Sequence, residues 1–233
     1  MMKPFVAILF LALFSLGTRA QNPVTPTQAL EMNLKASGEF YRWNAGNGLI
    51  KGSPYLTEEF SPGRIHWNDM WYEGIELRYN IYQGDFEARL ESGTIVIDPL
   101  KNNIDTLEYR EEVFVRKFLE TDKGLLVVYL SLLGEENGIA LYKHYQIRLT
   151  EAVTDTDLYN KAKPAEYKPE KPVYYVFRGN DPWTVKGVKS LAEIFRIDAK
   201  EVKSYLKDNK YKLTSEVQLL ETVLHFSASF DPS

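Results

Sequence analysis

From Ile75 onward the apolar side chains recur at every second position, a rhythm that a helix cannot bury on one face. Ile75, Leu77, Tyr79 and Ile81 alternate with Glu76, Arg78, Asn80 and Tyr82, the period of a strand with one face in a core. Gln83-Gly84-Asp85 turns the chain, Phe86, Ala88 and Leu90 alternate with Glu87 and Arg89, and Glu91-Ser92-Gly93 turns it again before the β-branched run Thr94 to Ile97. Short alternating runs joined by such turns pair as a meander of hairpins. The rhythm continues through Val113-Phe114-Val115, Leu125 to Leu130 and Ile139 to Leu149. The Leu125 run is apolar on both faces, which predicts a central strand covered on both sides. No helical pattern separates these runs, so the expected fold is mainly β: an antiparallel sandwich, half-barrel or curved sheet.

The two ends read differently. Residues 22–28, with two prolines, predict an extended leader, and the Gly- and aromatic-rich stretch Phe40 to Phe60 predicts strands joined by turns. Residues 154–172 are charged and proline-rich and predict an extended linker. Tyr174 to Phe177 then gives one more strand, and three short amphipathic helices follow. Ser190 with Glu193, Asp198 with Glu201 and Ser215 with Gln218 each fit an N-cap with a side chain three residues on that reaches back. The whole is α+β, with a small C-terminal three-helix region that must pack on itself or on the sheet.

Lys3, the unbroken apolar run Phe5 to Phe14 and the small residues of Thr18-Arg19-Ala20 form a three-part secretory signal, with cleavage expected after Ala20. About ten apolar residues make a helix of roughly 15 Å, too short for a hydrocarbon core of about 30 Å, so no transmembrane segment is expected in the mature chain. The expected organisation is a signal peptide at 1–20, an antiparallel β domain at 21–153, the linker at 154–172 and a strand plus helices at 173–233. The chain has no cysteine, which excludes a disulfide framework and leaves stability to the core. It has no Asn-x-Ser/Thr sequon either, and an exported bacterial protein of the periplasm or cell exterior is the expected class. Removing Lys3 and Arg19 takes the formal charge from −4 to −6, which argues against a nucleic-acid partner.

No catalytic motif stands out, and no cofactor is implied. His66, His144 and His225 share no metal-ligand spacing, and no metal site is expected. Gly46-x-Gly48 with Gly52 has the wrong spacing for a dinucleotide loop, and Asp155-Thr156-Asp157 lacks the glycine and closing glutamate of a calcium loop. The densest aromatic stretch holds Trp43, Tyr55, Phe60, Trp67, Trp71 and Tyr72, with Glu58, Glu59, Glu73 and Glu76 close by. Trp43, Trp67, Trp71 and Tyr72 are therefore the candidate binding residues. Exposed together, they would form a carbohydrate platform. Buried, they would be cross-strand core pairs. A glycosidase pair among the acids needs two carboxylates facing each other, which sequence cannot place.

Two resemblances emerge. Gly52-Ser53-Pro54-Tyr55-Leu56, Leu77 to Tyr82, Leu141-Tyr142-Lys143, Lys189-Ser190-Leu191 and Val202 to Lys210 together resemble a broad group of uncharacterised exported bacterial proteins, which implies architecture and no activity. More locally, Tyr174 to Asp181, Ser190 to Phe195 and Val202 to Asn209 are similar in order to LysM peptidoglycan-binding modules, although Pro182 to Lys189 intervene before the first helix and a third helix is added. Three functions are open: a non-enzymatic protein presenting a β surface to an envelope component or partner protein, a glycan- or peptidoglycan-binding module, and a carboxylate-based hydrolase.

Overall fold

A computed structural model describes residues 24–37, 41–42, 50–122, 124–153 and 163–228. The signal-like segment and Trp43 lie outside them. Eleven strands form one antiparallel sheet: β1 (Tyr41–Arg42), β2 (Ser61–Trp67), β3 (Met70–Asn80), β4 (Asp85–Leu90), β5 (Gly93–Ile97), β6 (Thr106–Tyr109), β7 (Glu112–Thr121), β8 (Gly124–Glu136), β9 (Ile139–Thr150), β10 (Glu166–Arg178) and β11 (Asp181–Val185). Their spatial order is β1-β5-β4-β3-β2-β6-β7-β8-β9-β10-β11. Two meanders therefore start side by side, at β2 and β6, and run outward in opposite directions. A single sheet removes the sandwich from the three expected forms.

The sheet is curled, and a short strap shows by how much. Lys51 bridges to Glu166 at the start of β10, while Tyr55 bridges to Asn80 at the end of β3. Six strand spacings separate β3 from β10, about 29 Å along a flat sheet, whereas four residues span about 14 Å at most. Only a sheet rolled towards a cylinder brings both ends within the strap's reach. Tyr82 beside β3 and Tyr167 of β10 accordingly meet with ring centroids 5.1 Å apart. Gly52 makes the close approach possible: its φ is +78°, and a Cβ there would lie 2.7 Å from the Tyr167 carbonyl oxygen.

Inside the curl, alternate residues of β2 to β8 interlock. Leu77, Tyr79, Phe86, Ala88, Tyr109 and Phe114 are buried together, and Phe86 sits 4.7 Å from Tyr79, 5.0 Å from Phe114 and 5.5 Å from Tyr129. Helix α1 (Pro26–Ser37) caps this core with Leu30 and Leu34. The leader reading fails there for a local reason. Thr25 and Gln28 exchange hydrogen bonds, Thr25 N–H to Oε1 at 3.1 Å and Gln28 N–H to Oγ1 at 3.2 Å, and Pro26 takes the first helical position, where a missing N–H costs nothing.

The C-terminal helices α2 (Val188–Phe195), α3 (Ala199–Asp208) and α4 (Glu216–Ala228) share a second core with Ile139 and Leu141 of β9 and Val176 of β10. Between Ile139 and Leu141, Ala140 points to the opposite face, where it joins Tyr142, Val128, Leu130 and Phe177 in a third cluster. The helices thus pack on the sheet. Gly134 of β8 allows the approach, since a Cβ there would stand 2.8 Å from Leu220 of α4. Asp198 caps α3 as expected, accepting from the Lys200 N–H. In α2 the helix begins at Val188, and Ser190 Oγ accepts from the Gly187 N–H at 3.0 Å.

Two further departures from the sequence reading have physical causes. Residues 166–172, expected as linker, form the first half of β10, paired with β9. Pro169 and Pro172 are tolerated because β11 pairs only with Tyr174–Arg178 and because the register shifts between Glu170 and Val173, an edge and a bulge being the places a strand accepts proline. Strand β8 pairs with β9 only over Ser131–Glu136, so the apolar run Leu125 to Leu130, expected to be central and covered on both sides, is a margin of the sheet on which Leu125 and Leu126 are exposed. Among the described residues, Gly124–Leu130 is held by β7 alone.

Candidate functional site

The three candidate aromatics among the described residues do not form a platform. Trp67 and Tyr72 are buried, at 2% and 4% exposure, and belong to the main core, whereas Trp71 is 42% exposed. The hairpin explains the split. Asn68 and Asp69, with φ of 49° and 60°, make the two-residue turn that joins β2 to β3, so pairing counts outward as Trp67 with Met70, His66 with Trp71 and Ile65 with Tyr72. Opposed residues share a face. Ile65, Trp67 and Tyr72 therefore face inward, and His66 and Trp71 face outward.

What surrounds Trp71 is polar. The His66 ring lies 5.0 Å away, tilted by 46°, and the Arg64 guanidinium sits 4.4 Å above the indole centroid, a cation–π geometry. Arg64 is also held by Glu108 and by Glu73 at 3.5 Å. Beside this stack runs a groove of about 420 Å³ lined by Arg64, Glu73, Glu108, Arg110, Glu111 and Glu112. Its far end leads into a hydrogen-bonded cluster. Glu112 accepts from Tyr145 Oη at 2.6 Å and from Ser131 Oγ, and Lys143 bridges towards Glu216 of α4 at 3.1 Å, which also accepts from Tyr174 Oη.

The groove's rim carries backbone strain. Arg110 and Glu111, the turn between β6 and β7, have φ of 51° and 65°. That turn type favours Asn-Gly, and left-handed backbone costs about 1–2 kcal/mol for an ordinary residue. Replacing Arg110-Glu111 by Asn-Gly is expected to raise stability by about 1–2 kcal/mol, measured as a higher urea midpoint at unchanged slope. A lower midpoint would mean that the two charged side chains stabilise the hairpin.

Of the four acids singled out in the sequence, only Glu73 lines the groove. Glu73 is tied to Arg64, and Glu58 and Glu59 are exposed on the loop before β2. Glu76 lies opposite Arg89 on β4. The carboxyl pushed furthest up is one that sequence did not single out: burial, helped by Glu87 and Asp98, raises Asp85 to about 7. Asp85 stands at the start of β4 and does not line the groove, so the perturbed acid and the acid-lined groove are made of different residues. The histidines lie apart. His66 faces Trp71, His225 stacks on Tyr205 at 4.0 Å, and His144 is pushed down to about 4 by burial. Among the described residues no cluster of His, Cys, Asp or Glu is placed to hold a metal ion, and no helix is long and apolar enough to cross a membrane.

No family model, curated protein or solved structure matches the chain.

Proposed function

We propose that this is an exported, non-enzymatic binding protein that presents the outer face of β2 and β3 to a partner protein of the cell envelope, with Trp71 as the anchor. The observation that carries the reading is the exposed indole stacked by Arg64 beside a charged groove. Tryptophan and arginine at the centre of a patch are the residues that dominate protein–protein affinity, and a folded chain gains nothing from leaving Trp71 in water. The strained Arg110-Glu111 turn supports the same reading, because left-handed backbone in charged residues at a groove rim costs stability that function can offset. Export rests on the sequence of residues 1–20.

A photo-reactive residue at position 71 is expected to give a discrete protein adduct in the native envelope, while the same residue at Leu100, which is 69% exposed, gives none. Adding Arg64→Ala is expected to reduce the adduct tenfold or more, the loss of a hot-spot contact worth about 2 kcal/mol. Equal labelling from both positions, or indifference to Arg64, removes the partner-protein reading. A glycan partner predicts a different result, namely co-sedimentation with insoluble sacculi that is lost in Trp71→Ala.

A further inference from the structure

Charge is distributed unevenly along this acidic chain. Residues 186–212 hold eight Lys or Arg and four Asp or Glu, so a segment of net +4 belongs to a chain of net −4. Helix α3 sorts these charges by face. At about 100° per residue, Lys200, Lys203 and Lys207 fall within about a 60° arc. Val202, buried, and Tyr205, packed against the second core, lie on the other side, and Leu206, also packed against that core, borders the arc about 60° from Lys203. Glu201 and Asp208 are about 80–100° round from Lys200 and further from Lys203 and Lys207. The chain then turns through Lys210, at φ 57°, to Lys212. All five lysines are exposed, and none has a carboxylate within 4.0 Å among the described residues.

An apolar group lies at the end of the row. Val217, in the first turn of α4, is 65% exposed, and its neighbour Gln218 accepts a hydrogen bond from the Lys212 N–H at 2.7 Å. A row of unpaired lysines opposed to a packed face draws a polyanion. An exposed valine at the end of such a row suits a surface with an apolar layer under its charge.

We propose that the lysine face of α3, with Val217 at its margin, is a docking surface for an anionic phospholipid bilayer. Each lysine near such a surface multiplies partitioning about fivefold, and the attraction fades within a Debye length. This surface is separate from the Trp71 groove.

The test is co-sedimentation of the full chain with phosphatidylcholine vesicles containing or lacking phosphatidylglycerol, at low and high salt, with soluble polyphosphate as competitor. Expected results are binding that needs phosphatidylglycerol, weakens with salt and falls on the order of 100-fold in Lys200→Gln/Lys203→Gln/Lys207→Gln. Because the three side chains are exposed, the variant should keep the unfolding midpoint of the parent, which a urea titration verifies. Equal binding to neutral vesicles, or undiminished binding by the triple variant, overturns the proposal. So does binding of polyphosphate with no binding to anionic vesicles, which would assign the face to a soluble polyanion.

Discussion

Glu87→Ala is expected to destabilise the fold by about 3–5 kcal/mol, the cost of leaving a buried charge without its partner. Glu87 is 1% exposed and Arg78 15%. The carboxylate receives Arg78 through Nη2 and through Nε at 3.2 Å, and Tyr55 Oη at 2.9 Å. The guanidinium lies 3.7 Å from the Tyr55 ring centroid and 4.5 Å from that of Phe60, so it has little water to turn to once Glu87 is gone. Burial and the bond to Glu87 push Tyr55 up to about 12, so the phenol stays a donor throughout the neutral range. Replacing both charges, with Glu87→Leu and Arg78→Met, should recover most of the loss, since a packed apolar pair avoids the desolvation cost. Urea unfolding measures both. If the double variant is as unstable as the single one, the cost lies in packing and not in the orphaned charge.

The second large effect depends on pH. Asp85 is raised from 3.8 to about 7, by burial first and then by Glu87 and Asp98, and its Oδ1 has no hydrogen-bond partner. Between pH 4 and pH 7 the folded chain keeps a proton that the unfolded chain releases. Stability from this group is therefore fully present below about pH 4, falls as pH rises to about 7 and stays lost above it. Three pH units correspond to about 4 kcal/mol at most. Asp85→Asn should be more stable than the parent at pH 8 by up to about 4 kcal/mol, and the gap should close towards pH 4. His144 acts in the opposite sense. Lowered from 6.5 to about 4 by burial, it costs stability as pH falls through that interval. The difference between parent and variant across pH isolates Asp85 from this background, and a difference that is constant with pH would show that Asp85 does not titrate in the fold.

Strands β3 to β5, β7 and β9 were legible because apolar residues alternate where one face is buried, β8 through its continuous apolar run, and α3 through its Asp198 cap. Helix α1 was not, although Thr25 and Gln28 stand at the spacing of a capping box. Two buried leucines, Leu30 and Leu34, are a thin stripe, and the prolines beside them argued for an extended chain. The strand over 166–172 was hidden by its lysines and prolines, which an edge tolerates and a central strand would not.

At the candidate site the aromatic composition was visible and its geometry was not. Trp67, Trp71 and Tyr72 lie within six residues, yet only the middle one reaches solvent. Asn68-Asp69 held the information, because a two-residue hairpin there pairs His66 with Trp71 and places Arg64 on the same side of β2. The contribution of Arg110, Glu111 and Glu112 had no such local signal. They reach the groove only because β6 returns to pair with β2 after the whole first meander.

The strap that rolls the sheet also sets the order in which the protein can assemble. Each hairpin joins neighbours in sequence and can form early, but Lys51 must wait for Glu166, 115 residues later, the most distant of the strand pairings and the one with the greatest loop-closure entropy against it. Before that buckle fastens, the chain is an unrolled sheet with the Tyr79, Phe86 and Phe114 rings facing water. The time taken to close is thus the time during which this chain is most prone to aggregate. A change at Gly52, remote from the core, would lengthen that interval.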